Sequence, residues 1–378
     1  MSAKHSSTPP ATTRRIGLDC RLAGAKHAGI GRYIAQLVQH LLPGLKKSTT
    51  LVLFFFDQAQ AKEVLGQDMR HPRLELIYAP IKHYGWQEQW RMPKVFAAAK
   101  LDLLHVPHWN VPLAYRGKLI VTIHDLLWHE QRGLHMTTLK PWQYLFKYLF
   151  YLLVVRQATH RATTIIVPAQ TIADTVGKYY PSCRHKITVV KEGVAPAYQF
   201  TETAGKNSRK QLIYTGSLYP HKNLQLVIRA LHKLPKYQLV VVGARNVFQD
   251  QVRQLVARHK VKAQVKFLGF VEDRKLVQLY SKASALVQPS LSEGFGLTGL
   301  EAMAAGLPVL ASRIPIFEEI YQDGAIFFDP HDQDSFLSAV RELELADRHE
   351  LCQKGQAVAA AYSWQQMATD IAAIYESH

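Results

Sequence analysis

The sequence predicts an α/β protein built from two doubly wound, Rossmann-like domains that face a central cleft. Three observations carry this expectation. The 378 residues exceed one ordinary core and suit two α/β domains of similar mass. Short aliphatic and β-branched runs alternate with amphipathic stretches from end to end, the rhythm of parallel strands with helices on both faces. Midway lies Ala195 to Lys210, whose Pro196, Gly205, Asn207 and Ser208 suit an interdomain linker.

In chain order, the opening MSAKHSSTPPATTRR is polar and proline-bearing, so residues 1–15 read as a disordered tail without the apolar core of a signal peptide. Residues 16–194 form the first domain, with strands expected over Ile16 to Asp19, Leu51 to Phe56, Leu103 to Val106, Leu119 to Ile123 and Thr164 to Val167. Inside it, Lys140 to Arg161 reads as an aromatic and aliphatic helix with basic residues at both ends. It is too short and too interrupted by Lys147 to span a bilayer, and suits either a membrane surface or a buried interdomain position. After the linker, residues 211–358 form the second domain. Its strands are expected over Leu212 to Thr215, Leu239 to Val242, Val265 to Leu268, Ala285 to Val287 and Pro308 to Leu310. Ligands of such sheets bind beyond the carboxyl ends of the strands, so chemistry is expected in the cleft between the domains.

The formal charge of +17 is uneven: residues 1–190 hold 25 Lys and Arg against 10 Asp and Glu, residues 191–378 hold 21 against 19. The first half should therefore attract an anionic partner, whether a phosphorylated acceptor, an anionic membrane surface or nucleic acid. Nucleic acid is disfavoured because no helix-turn-helix, finger or RNA-recognition signature occurs. Cys20, Cys183 and Cys352 are odd in number, widely spaced and without a Cys-x-x-Cys pair, which suits a reducing, cytoplasmic setting.

The most informative segment is SEGFGLTGLEAMAAGLPVLAS, Ser292 to Ser312. Glu293 stands in a glycine-rich loop and Glu301 in the helix that follows. Gly294 and Gly296 let the backbone approach a ligand, and the amides at the helix start suit phosphate oxygens. Two carboxylates are then placed to accept hydrogen bonds from sugar hydroxyls on either side of that phosphate.

This segment resembles the signature of glycosyltransferase family 4, and the resemblance extends over nearly the whole chain. Its other parts are HAGIGRY (His27 to Tyr33), His124 with Asp125 in VTIHDLLW, YTGSLYPHKNL (Tyr214 to Leu224) and the closing YSWQQMATDIAAIY from Tyr362. The resemblance implies a GT-B fold, a nucleotide-diphosphate sugar donor held mainly by the second domain, retention of configuration, and no metal or other cofactor. Residues 359–378 would form a helix returning to the first domain. By the same resemblance Glu293 faces the donor sugar, Glu301 holds the ribose hydroxyls, and amides of Phe295, Gly296, Leu297 and Thr298 meet sugar and phosphate. Gly216 and Ser217 adjoin the donor, Lys222 neutralises the departing pyrophosphate, His124 approaches the sugar from the first domain, and Gly29 with Gly31 brings backbone to the reacting end.

One departure concerns charge. Many relatives place an arginine just before the lysine, where this chain has Ser217, Leu218 and His221. A protonated His221, or Arg245, is the candidate replacement. Relatives with a similar KNL stretch often use guanosine-linked mannose, so the resemblance implies that donor, and the acceptor is expected to be a glycan or lipid-linked. Asp332 and Asp334 form an Asp-x-Asp but precede an amphipathic helix, where such residues cap free amides. The mechanism implied is front-face substitution, with the departing phosphate taking the acceptor's proton. An epimerase or phosphorylase on the same scaffold is the alternative.

Overall fold

A computed structural model describes residues 14–133, 137–195, 198, 210–243 and 247–378. The expected tail up to residue 13, most of the linker and Arg245 lie outside the described residues. The first sheet comprises β1 (Arg14–Asp19), β2 (Thr49–Phe55), β3 (Leu74–Tyr78), β4 (Leu103–Val106), β5 (Leu119–Thr122), β6 (Thr164–Val167) and β7 (Ile187–Val189). The second comprises β8 (Lys210–Thr215), β9 (Tyr237–Val242), β10 (Val265–Gly269), β11 (Ala285–Gln288), β12 (Val309–Ser312) and β13 (Ala325–Phe328). Every pairing is parallel, in the orders β3-β2-β1-β4-β5-β6-β7 and β10-β9-β8-β11-β12-β13.

The strands that the sequence announces most plainly are buried on both faces, as in β4, β5, β11 and β12, because parallel strands covered by helices read as unbroken apolar runs. Three strands escape that reading. β3 and β7 are half-buried or exposed edges, and β13 is a four-residue edge with alternate burial. Arg14 and Arg15, expected in the tail, instead open β1. Their side chains are held by the Tyr375 carbonyl and by Glu75.

Sheet order reverses between β1 and β4 and again between β8 and β11, so the two switch points place the loops after these four strands at the cleft. The helix Trp364–Glu376 packs Trp364, Met367, Ile371 and Tyr375 against Ile16, Leu18, Leu37 and Leu41 of the first domain. Gly193 lies where the chain crosses itself on the way: a Cβ there would meet the Trp364 nitrogen at 2.0 Å.

The helix Pro141–Arg161 buries Tyr151, Val154, Val155 and Ala158, while Trp142, Leu145, Phe146, Leu149 and Leu153 remain exposed. It is therefore not enclosed between the domains. Arg161, one of the basic residues at the ends of this helix, is half-buried, and desolvation followed by the charge of Arg116 lowers its pKa.

His105 in β4 sits in the core between the Tyr375 hydroxyl at 2.6 Å and Thr122 Oγ1 at 2.8 Å. Burial depresses its pKa from 6.5 to about 3, and burial together with Lys222 depresses that of His221 to about 4. Both folded values lie below the unfolded one, so the unfolded chain binds more protons as pH falls. The stability that these neutral rings contribute is complete above pH 6.5 and is lost as pH falls from 6.5 to about 3 for His105 and to about 4 for His221, at up to about 1.4 kcal/mol per pH unit for each. Denaturant titrations should show this acid slope, and His105→Gln should flatten it. An unchanged slope would contradict the assignment.

Candidate active site

β11 ends in Gln288, and after a turn the chain enters the helix Leu297–Ala304 through Gly296, whose φ of +97° favours glycine. The Tyr321 hydroxyl lies 2.6 Å from Gln288 Oε1 and 2.5 Å from the Gly296 carbonyl, and Gln288 Nε2 donates to Thr298 Oγ1 at 2.6 Å. The first helical turn, with Leu297 and Thr298, is thereby held open-end toward the cleft, while Phe295 is buried against Tyr362. Gly296→Ala forces a Cβ to 2.3 Å from the Tyr321 hydroxyl in an unfavourable backbone region. The expected result is a destabilisation of about 1–3 kcal/mol in denaturant titrations, with ligand affinity reduced in parallel. Full native stability would show that the loop is not built this way.

Lys222 closes a short 3₁₀ turn, Pro220–Lys222, beyond β8. Its Nζ lies 2.5 Å from Glu293 Oε2, and Ser290 Oγ donates to Glu293 Oε1 at 2.8 Å. The His221 carbonyl accepts from the Leu291 amide at 2.7 Å, locking this turn to the loop that carries Glu293. Gly216 and Ser217 line the same corner. The Gly216 carbonyl would lie 2.2 Å from a Cβ on Gly243, and the Ser217 carbonyl accepts from the Tyr214 hydroxyl. His221 does not serve as the second cation expected from the sequence, because burial and the neighbouring Lys222 keep it neutral near pH 7.

Glu301, 2% exposed, pairs with Arg32 of the helix Ala28–Leu41, and Arg32 Nη2 also lies 2.9 Å from Asp273. A carboxylate expected to meet ribose is thus held by a first-domain guanidinium. Gly29, in the same helix, is exposed with open space around its α-carbon. Gly31 is buried, and a Cβ there would overlap the Gly24 carbonyl at 2.0 Å. Its evident role is close packing of the loop after β1.

His124 follows β5 and is buried. Its Nδ1 lies 3.1 Å from Glu192 Oε1 and its Nε2 lies 3.2 Å from the Pro107 carbonyl. Both nitrogens therefore meet partners inside the first domain. Its backbone carbonyl reaches the second domain: a Cβ on Gly294 would stand 2.6 Å from it. Nearby, Ser292 Oγ donates to Glu130 across the cleft at 3.1 Å. The cleft thus brings together Lys222, Glu293, Glu301 and the start of the Leu297–Ala304 helix, with the His124 backbone opposite.

Arg32, Gln288, Ser290, Glu192 and Tyr321 were missed by motif reading. Arg32 had a signal, a lone charge inside HAGIGRY, and Gln288 another, a polar end to the apolar run ALVQ. Tyr321 had none. The Asp332 side chain caps the helix Gln333–Leu345 by accepting from the Asp334 amide at 2.9 Å, and Asp334 pairs with Lys233.

The model described as Glycosyltransferase Family 4 matches residues 27–198, and that described as Glycosyl transferases group 1 matches residues 199–361. The chain is 30% identical over 246 residues to the O-antigen chain mannosyltransferase RfbU of Salmonella typhimurium, covering 64% of this chain and 65% of that protein. It is 33% identical over 171 residues to the O-antigen chain mannosyltransferase B of Escherichia coli, covering 43% of this chain and 45% of that one. The matched stretches thus span less than two thirds of these relatives' own lengths. Anabaena HepE, solved in complex with UDP-glucose, superposes with a TM-score of 0.73 at 18% identity, over 96% of this chain and 100% of HepE.

Proposed function

Because this chain belongs to glycosyltransferase family 4 and has the GT-B fold, we propose that it transfers a hexosyl group from a nucleotide-diphosphate sugar to a glycan or lipid-linked acceptor, with retention. The observation that carries the reading is the convergence of Lys222, Glu293 and buried Glu301 around one helix start. A diphosphate needs a cation and free amides, a sugar needs acceptors for its hydroxyls, and a ribose needs a further carboxylate. Lys222, the Leu297–Ala304 helix start, Glu293 and Glu301 would meet these needs, which supports the reading. The mannosyltransferase relatives support mannose as the sugar.

In this reading Lys222 meets the phosphate oxygens as the glycosidic bond to them breaks, stabilising charge that grows in the transition state. Glu293 releases its hold on Lys222 to take the sugar's hydroxyls. The departing phosphate takes the acceptor's proton on the same face, so the protein supplies position and electrostatics rather than a nucleophile. A thermal-shift panel of nucleoside diphosphates and their sugars tests the reading: a matched donor should raise the melting midpoint with the logarithm of its concentration.

Turnover is proposed to need no divalent ion, since Lys222 and the helix start supply the positive potential and Asp332 is committed to a helix cap. Activity should be unchanged after exhaustive chelation. Loss restored by magnesium or manganese would contradict this.

A further inference from the structure

The helix Trp86–Ala98 and the helix Pro141–Arg161 lie side by side on the outside of the first domain, with the Trp86 ring 6.1 Å from Phe146 and 5.7 Å from Phe150. The Trp86 helix is anchored inward by Glu88, Met92 and Phe96, with Glu88 paired to buried Arg21. Its other side carries Trp86 and, one turn on, Trp90, 63% and 73% exposed. Trp142, Leu145, Phe146, Leu149 and Leu153 of the neighbouring helix recur at helical spacing, and Trp142 is 68% exposed. A helix apolar on both sides ordinarily lies buried. Here one side faces outward beside two further tryptophans.

Its charge is as one-sided as its hydrophobicity. Within residues 79–100 and 137–161 the only carboxylate is Glu88, which is buried. Lys82, Arg91, Lys94, Lys140, Lys147 and Arg156 are exposed, and none forms an ion pair among the described residues. Exposed tryptophans ringed by unopposed cations suit the interfacial layer of an anionic bilayer, where indole sits at headgroup depth and basic side chains meet phosphate. No described helix is long and apolar enough to cross a membrane.

We propose that the face formed by these two helices docks on a bilayer containing anionic lipid, with Trp86 and Trp90 entering the headgroup layer. Ring contacts run from beside this face toward the cleft. Tyr84 lies 5.8 Å from Trp109, Trp109 lies 4.8 Å from Tyr151 of the long helix, and the adjoining Pro107 carbonyl faces His124. The proposal goes beyond the transferase reading and does not depend on it.

Co-sedimentation of the full chain with phosphatidylcholine vesicles, with and without phosphatidylglycerol, tests it. Wild type should pellet with the anionic vesicles at low salt and be released by high salt. Each basic residue is worth about fivefold in partitioning, so Lys82→Gln, Arg91→Gln and Lys94→Gln together should weaken binding about a hundredfold. Trp86→Gln with Trp90→Gln should weaken it by about tenfold or more, whereas both variants should keep the wild-type melting midpoint. Failure of wild type to bind at low salt would overturn the proposal. So would tryptophan variants that bind as wild type does, or a vesicle-blind dimer that those variants dissociate.

Discussion

Replacing Lys222 with methionine is expected to lower turnover by about two to three powers of ten while changing nucleoside affinity only a few-fold. The reason is the scarcity of permanent positive charge in the turn after β8, where the proposed function puts the donor's phosphates. Within the turn after β8, Lys222 is the one permanent cation, His221 is held neutral, and no arginine stands between Gly216 and Lys222. Lys222 is also committed to Glu293 at 2.5 Å, so the pair must separate for the lysine to reach phosphate. A cation that tightens its grip only as the leaving group gains charge acts on the transition state, and its loss should appear in kcat. Single-turnover kinetics on the variant would check this. A loss confined to donor affinity would make Lys222 a binding residue only.

The second large effect is expected at Glu301. Glu301→Gln should weaken nucleoside diphosphate binding by about 1.5–3 kcal/mol, the range for hydrogen bonds to a charged group. Arg32 sharpens the test, because in this structure it occupies the carboxylate that ribose hydroxyls would need. If the two compete, Arg32→Ala should tighten nucleoside diphosphate binding while Glu301→Gln loosens it. Isothermal calorimetry on both variants distinguishes this from a merely structural pair, in which both substitutions would weaken binding. Glu293→Gln should instead lower turnover more than nucleoside affinity, because its partners are Lys222 and Ser290 rather than Arg32.

Legibility in the sequence followed burial. Strands covered on both faces, such as β5 (LIVT) and β12 (VLAS), show themselves as short apolar runs, whereas edge strand β3 carries Glu75 because its half-exposed surface tolerates charge. The glycine loop and its two glutamates were legible because backbone geometry demands glycine at Gly296 whatever packs around it. Contacts formed between distant segments were not. Nothing local announces that the Tyr321 hydroxyl closes over the Gly296 carbonyl, that Arg32 spans the cleft to Glu301, or that the Glu319 carboxylate caps the helix Gln170–Tyr179 through the Gln170 and Thr171 amides. The neutrality of His221 is hidden from the sequence for the same reason, since its burial depends on the fold and not on its neighbours in sequence.

The most direct test of the central claim is to incubate the purified protein with a panel of nucleotide sugars, including guanosine-linked mannose, without acceptor, and to follow the mixture by NMR. A retaining transferase should slowly release nucleoside diphosphate and free sugar from its matched donor, with the sugar emerging first in the donor's anomeric configuration, and Lys222→Met should abolish the release. Conversion of the donor to an epimeric nucleotide sugar with no diphosphate set free would contradict the account.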